Sequence, residues 1–261
     1  MQTALITGAS SGIGAVFAHE LAKQQTNLVL VARSEEKLNQ LADRLRQEFQ
    51  IKVDVLVADM TETGANRAIF EKVTQKGLTI DCLINNAGFG DYGTFSDRPL
   101  QKQLEMIQLN ILALVELTHL FLPGMKQQGF GSIINVGSIA GFQPLPYMSV
   151  YAATKAFVLS FSEALWAENR QFGIRVQALC PGPTKTNFPN VAEFPKAMMK
   201  SGFPQTLATP EEVVLQSLKA LEKNDCTVVT GGLGNQLIVN IPRFMPRDTL
   251  VSVIEKQFNF S

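Results

Sequence analysis

Short apolar runs alternate with longer amphipathic stretches along almost the whole chain. Runs dense in Val, Ile and Leu predict strands at Thr3–Thr7, Asn27–Ala32, Lys52–Val57, Cys82–Asn85, Ser132–Val136, Arg175–Cys180 and Thr227–Thr230. Between them apolar positions recur at helical spacing, as in Glu35–Phe49, Leu100–Leu122, Met148–Arg170 and Pro210–Glu222. Near-continuous apolar strands belong to a parallel sheet covered on both faces. Their alternation with helices predicts an α/β fold with a doubly wound, seven-stranded, mostly parallel sheet. No repeat, low-complexity tract or linker interrupts it, so residues 1–261 read as one domain. One stretch breaks the rhythm. Pro181 to Thr209 holds five prolines with Phe188, Phe194, Met198, Met199 and Phe203. A long connection of this kind in a compact domain predicts a lid or binding loop over residues 183–209.

Composition narrows the function. The chain is 46% apolar and 18% charged, enough for a sizeable core. Lys plus Arg equals Asp plus Glu at 23 each, so overall charge makes no case for nucleic acid or an anionic membrane as main partner. Cys82, Cys180 and Cys226 are far apart and form no CxxC, which fits a reducing compartment. His19 and His119 have no ligand-spaced partner, so no metal site is expected. The apolar start lacks a charged leader, and no uninterrupted apolar run is long enough to span a bilayer. A cytoplasmic enzyme is the expectation. Gln236 to Phe258 mixes aliphatics with Pro242, Arg243, Pro246 and Arg247, which leaves open a packed tail or a membrane-surface contact.

The first strand runs into Thr7-Gly8-Ala9-Ser10-Ser11-Gly12-Ile13-Gly14. Glycines between strand and helix let the backbone turn tightly and approach a pyrophosphate, and the helix then offers its N-terminal amides. The spacing is G-x-x-x-G-x-G, unlike the commoner G-x-G-x-x-G, and a ligand-free glycine turn is the plain alternative. Beyond the second strand comes Val31-Ala32-Arg33-Ser34. An acidic residue there would select NAD, whereas an arginine can hold the 2′-phosphate of NADP. Arg33 therefore points to NADP(H) rather than NAD(H), the alternative being a solvated arginine before a helix capped by Ser34.

Tyr151 and Lys155 are four residues apart in a predicted helix, hence on one face about a turn apart. A phenol beside an ammonium is a candidate acid/base unit, because the positive charge favours the phenolate. Asn110 lies amid Ile107, Leu109, Ile111 and Leu112, where an unpartnered amide is costly, so a task is expected for it.

Together these residues resemble the short-chain dehydrogenase/reductase family, over nearly the whole chain. Thr7 to Gly14 is similar to its cofactor motif, including Gly8, Ser10, Ser11, Gly12, Ile13 and Gly14. Asn85-Asn86-Ala87-Gly88 is similar to its second motif, and Asp59 to its adenine-contacting aspartate. Asn110, Ser138, Tyr151 and Lys155 stand in the order of its catalytic four. Pro181, Gly182 and Thr186 correspond to the segment near the nicotinamide. The resemblance implies a Rossmann-type fold and hydride transfer between nicotinamide and a carbonyl or alcohol. It implies Tyr151 as proton donor, Ser138 on the substrate oxygen, and Lys155 on the ribose, lowering the pKa of Tyr151. Asn110 would hold a water. It also implies a homodimer or homotetramer through the helices around Leu100–Leu122 and Met148–Arg170. Tyr147 has Tyr151 four residues on, not a lysine, and is expected at the pocket or helix entry. Phe89, Phe142, Leu145, Tyr147 and Phe188 are the expected substrate-pocket residues, fitting a moderately apolar ketone, aldehyde or secondary alcohol.

Overall fold

The computed structural model describes residues 2–200 and 207–260, without the side chains of residues 199 and 200. Phe203 and the Met199 side chain thus lie outside the described residues.

In chain order the elements are β1 (Thr3–Thr7), α1 (Gly12–Lys23), β2 (Asn27–Ala32), α2 (Glu35–Phe49), β3 (Val53–Val57), α3 (Ala65–Gln75) and β4 (Cys82–Asn85). A long helix follows: α4 (Leu100–Ile107), a π-helical segment (Gln108–Ala113) and α5 (Leu114–Gln128). Then come β5 (Gly131–Val136), a 3₁₀ turn (Ile139–Phe142), α6 (Ser149–Asn169), β6 (Ile174–Pro181), α7 (Phe188–Val191) and α8 (Lys196–Lys200). The chain continues through α9 (Pro210–Glu222), β7 (Thr227–Thr230), α10 (Leu233–Asn240), a 3₁₀ turn (Ile241–Arg243) and α11 (Arg247–Phe258). Strand ends differ from the sequence reading by at most one residue.

The strands form one sheet in the order β3-β2-β1-β4-β5-β6-β7, and every pairing is parallel. The chain moves outward from β1 to β3, then returns to place β4 on the other side of β1. That reversal opens a crevice beyond the carboxyl ends of β1 and β4, where ligands bind in such sheets. One apolar layer, including Phe17, Leu38 and Leu45, fills one face of the sheet. Ile69, Leu117 and Met125 belong to the layer on the other. A third cluster, around Met106, Met148 and Tyr151, lies over the carboxyl edge. Burial of these side chains, at about 1.5–3 kcal/mol each, is the main force holding helices to sheet.

Polar groups pin strand ends beneath the crevice. Asn85 Nδ2 donates to Thr118 Oγ1 (3.0 Å) and Asn135 Oδ1 (2.9 Å), and Asn135 Nδ2 donates to Ser162 Oγ (2.9 Å). This buried chain ties β4 and β5 to α5 and α6, the elements that carry the site. The helix Leu100–Gln128 is long and apolar enough to cross a membrane by length and composition. Here its inner face carries Met106, Asn110, Leu117 and Phe121 into the interior.

Candidate active site

The turn after β1 depends on glycine at three points. Gly8 and Gly12 have φ of 64° and 56°, where a side chain is strained. At Gly14 a Cβ would stand 2.5 Å from both Asn86 Nδ2 and the Gly8 carbonyl oxygen. Thr7 joins this turn to the next motif: its Oγ1 accepts from the amides of Asn86 and Ala87 (3.0 Å each) and donates to the Ile84 carbonyl (3.3 Å). Asn86 Nδ2 donates to the carbonyls of Thr7 (2.9 Å) and Gly8 (3.2 Å). Its amide therefore braces the turn from behind instead of facing the crevice. Ser11 precedes α1 without capping it, and the first turn has no acidic residue. The positive helix end is left for an anion.

Arg33 follows β2 and is 77% exposed, with Nη1 3.6 Å from Asp59 Oδ2. Asp59 accepts from the amide (3.0 Å) and hydroxyl (2.7 Å) of Thr61. Burial opposes its ionisation, but the Thr61 bonds and Arg33 outweigh that and hold its carboxyl below the usual range. Across the crevice, the methyl of Thr186 comes within 3.4 Å of where a Cβ on Gly12 would stand, so the loop after β6 reaches over the turn. Glycine turn, free helix end, exposed guanidinium and the Asp59 carboxylate beside it together fit an adenine dinucleotide phosphate. Pro181 and Gly182 end the strand beside them. Gly182 is needed there, because a Cβ would collide with Asn235 of α10.

Ser138, Tyr151, Lys155 and Asn110 converge at the carboxyl edge. Ser138 caps the 3₁₀ turn, its Oγ accepting from the Ala140 amide (3.1 Å). Tyr151 and Lys155 are both buried on α6, with Lys155 Nζ 5.8 Å from the Tyr151 ring centre. Burial pushes the Tyr151 phenol up to about 12, and a side-chain bond with Ser138 opposes this. Burial therefore sets the direction of the Tyr151 shift in the free protein. Burial also lowers the Lys155 ammonium to about 8. Its Nζ donates to the Val136 carbonyl (2.8 Å).

Asn110 lies in the π segment, where the hydrogen-bond ladder widens by one residue, a distortion common at functional sites. Its Nδ2 donates to the Phe89 carbonyl (3.0 Å) and Thr154 Oγ1 (3.1 Å), and its Oδ1 accepts from the Phe89 amide (3.1 Å). All three of these bonds hold Asn110 to the backbone just after the second motif and to α6. Helical period alone gave no sign of the π segment. A Cβ on Gly88 would stand 2.9 Å from Asn110 Oδ1 and 3.5 Å from Lys155 Nζ, so glycine lets the second motif approach both.

Of the expected pocket residues, Phe89, Leu145, Tyr147 and Phe188 join the apolar cluster around Tyr151. Phe188 lies 5.3 Å from the Tyr151 ring. Phe142 is half-buried on the 3₁₀ turn and is not part of that cluster. Tyr147 has φ 65°, a left-handed conformation just before α6, and stacks on Tyr92 at 5.9 Å. Phe194 and Met198 of the loop after β6 pack into the same cluster.

Residues not singled out from sequence complete this wall. Tyr92 donates to the Phe258 carbonyl and meets Phe194 edge-on at 5.8 Å. Leu250 and Ile254 of α11 enter the cluster, so the tail packs over the site. The loop after β6 is closed at its base by the amides of Lys185 and Ala208, which donate to Ala208 (2.9 Å) and Pro183 (3.0 Å) carbonyls. Its middle is fixed by charge. Asp91, fully buried, accepts from Arg98 Nε (2.8 Å) and Nη2 (2.6 Å) and from Gln103 Nε2 (2.6 Å). Arg98 and Lys102 also bond Glu193 of the loop, at 2.6 and 2.5 Å. Lys102 first, then Arg98, hold the Glu193 carboxyl below its usual range. No sequence spacing links Glu193 to residues ninety positions earlier.

Comparison with known proteins agrees with this geometry. A family model described as short chain dehydrogenase matches residues 2–194. The very-long-chain 3-oxoacyl-CoA reductase of Anas platyrhynchos is 37% identical over 198 residues, 73% of this chain. The match spans 62% of that relative's own length. A short-chain dehydrogenase from Sphingobium yanoikuyae, solved in complex with NADPH, is similar with a TM-score of 0.83 and 34% identity, covering 97% of this chain and 96% of that one. A bulky-bulky ketone specific alcohol dehydrogenase from Comamonas testosteroni gives 0.78 and 34%, over 97% and 94%.

Proposed function

The chain belongs to the short-chain dehydrogenase family of oxidoreductases, and on that footing we propose that it is an NADP(H)-dependent reductase of bulky, moderately apolar ketones. The observation that carries this is the meeting of Tyr151, Ser138 and an apolar wall of Phe89, Leu145 and Phe188 beside the glycine turn. Bound at that turn, the cofactor supplies a hydride to the carbonyl carbon. Tyr151, kept protonated by burial well above neutral pH, donates its proton to the carbonyl oxygen as negative charge develops there. Ser138 donates to the same oxygen and orients it. Lys155, released from the Val136 carbonyl, holds the ribose and supplies positive charge behind Tyr151. Asn110 positions the Phe89 backbone and Thr154, and the widened π turn frees a backbone acceptor for a water leading to Lys155. Arg33 holds the 2′-phosphate and Asp59 the adenine.

The loop of residues 183–209 serves as the lid, placing Phe188, Phe194 and Met198 over the substrate. Leu100, Leu104 and Leu112, all exposed, form with α6 a face for a homodimer or homotetramer. The relatives' printed activities, on 3-oxoacyl-CoA and on bulky ketones, suit the same wall. The test is NADPH absorbance with a panel of aliphatic, aryl and 3-oxoacyl ketones. Turnover should favour ketones with apolar groups on both sides. Consumption of NADH in preference to NADPH, or no turnover with any carbonyl, would overturn the proposal.

A further inference from the structure

The segment between β7 and α11 has two faces. Inward, Val239 is buried, Asn235 Nδ2 donates to the Thr230 carbonyl (2.8 Å), and α10 packs on the 139–142 turn that Ser138 caps. Met245, two residues beyond the following 3₁₀ turn, packs against the apolar cluster around Tyr151. Outward stand Leu233, Leu237, Ile241 and Phe244. Steps of four, four and three residues keep them on one side of a helical path. They are 83%, 70%, 43% and 87% exposed. Scattered exposed leucines are ordinary, whereas a continuous ridge of this kind marks a contact surface.

Charge identifies what the ridge meets. The whole chain is neutral, but between Asp225 and Asp248 it has no acidic residue, and Arg243 and Arg247 are exposed at the ridge's far end. Asp248, at the start of α11, is the first carboxylate reached along the chain. A second copy of the chain meeting this face symmetrically would set arginines toward a ridge that offers no carboxylate in return. A separate apolar face, with Leu100, Leu104 and Leu112, is already open to self-association. An apolar helical ridge edged by arginine, in a segment with no acidic residue of its own before Asp248, suits a helix lying among lipid headgroups.

We infer that the α10 ridge docks the protein on an anionic lipid surface. Leu233, Leu237, Ile241 and Phe244 enter the headgroup–acyl boundary, and Arg243 and Arg247 meet lipid phosphates. Because α10 rests on the turn that holds Ser138, the docked face lies beside the active-site wall. Docking is independent of the proposed chemistry and is read with no substrate present.

The test is co-sedimentation of the full chain with phosphatidylcholine vesicles and with vesicles that also contain phosphatidylglycerol. The wild-type protein should pellet with the anionic vesicles. The double variant Leu237→Glu, Phe244→Glu should remain in the supernatant, with its circular dichroism and melting temperature unchanged. A second double variant, Arg243→Gln, Arg247→Gln, keeps the ridge apolar and should partition about 30-fold more weakly onto the anionic vesicles, as expected for two basic residues near a charged surface. Its weaker binding to neutral vesicles should not change. Wild-type protein that stays in solution with anionic vesicles would overturn the inference. So would vesicle binding by the glutamate variant equal to that of wild type. A dimer seen by light scattering that the glutamate variant abolishes, without vesicle binding, would assign the ridge to a second copy.

Discussion

The two sides of the carboxyl edge are built by different means. On the nucleotide side, backbone meets backbone through glycine and is stitched by short side chains, as where Thr7 and Asn86 join the turn after β1 to the end of β4. On the substrate side, long side chains from distant segments meet: Tyr92 with Phe258, Tyr151 with Phe188, and Arg98 with both Asp91 and Glu193. The first construction is tightly packed and tolerates little change. The second can vary residue by residue while the sheet beneath stays fixed, which is where a family keeps its cofactor and alters its substrate.

Breaking the chemistry without touching either side is the largest effect expected. Tyr151→Phe removes one hydroxyl and leaves the ring packed on Phe188. Turnover should fall by about 10²–10⁴-fold, the usual contribution of a positioned acid. NADPH affinity, measured by fluorescence titration, should stay close to wild type. A matching loss of NADPH affinity would mean that the two sides are not separable at Tyr151.

Lys155 stands where the two sides join, and its variant should separate activity from stability. Lys155→Met should lower turnover sharply while raising the stability of the free protein by about 1–3 kcal/mol, because a buried ammonium is costly. The sign follows from the ammonium's fall from 10.5 to about 8. Between those values the Lys155 site binds more protons in the unfolded chain than in the folded one, so its contribution to stability climbs as pH rises from 8 toward 10.5, against the opposite pull of Tyr151, Cys82 and Cys180, which burial raises to about 12. The cost is fully present below pH 8. Urea melts across that range should give a more positive slope of stability against pH in wild type than in Lys155→Met, because the other titrating groups are common to both. Equal slopes would remove Lys155 as the cause.

Arg33→Ala tests the nucleotide side alone. Loss of a charge-assisted phosphate contact, about 1.5–3 kcal/mol, should lower the NADPH-to-NADH preference by roughly 10–100-fold in kcat/KM. The ketone specificity should not move. An unchanged cofactor ratio would return Arg33 to solvent.

How much of this was readable from sequence follows the same division. The seven strands came within a residue of their observed ends because each is a dense apolar run between breakers. The glycine turn, Arg33 and the Tyr151–Lys155 pair could be picked out because a strand end or a helical turn fixes their place, whereas Asp59 and Ser138 were picked out only by family resemblance. The task of Asn110 was legible from the cost of burying an amide, but its π segment was not, since one added residue per turn leaves the apolar period nearly unchanged. Tyr92, Asp91, Arg98, Glu193 and the packing of α11 were illegible for a plainer reason. Their partners lie up to 166 residues away along the chain, and nothing local marks them. Burial was also left out of the phenol–ammonium pairing: with both groups away from water, desolvation governs, and it raises Tyr151.

The smallest effect probes the substrate side where it is most particular to this chain. Glu193→Gln keeps size and hydrogen-bonding capacity but removes the charge that Arg98 and Lys102 hold. Asp91 would keep both cations, so the fold should survive. Glu193 is exposed, which limits the pair to about 0.2–1 kcal/mol, or up to roughly fivefold. Since the contact fastens Phe188, Phe194 and Met198 over Tyr151, that change should fall on KM for a bulky ketone, leaving NADPH affinity and the melting temperature alone. Raising the salt should reproduce the effect in wild type and have little further influence on Glu193→Gln, because screening acts on the same pair. If KM for the ketone moves equally with salt in both proteins, the loop is held by its apolar contacts and the charge cluster serves only to bury Asp91.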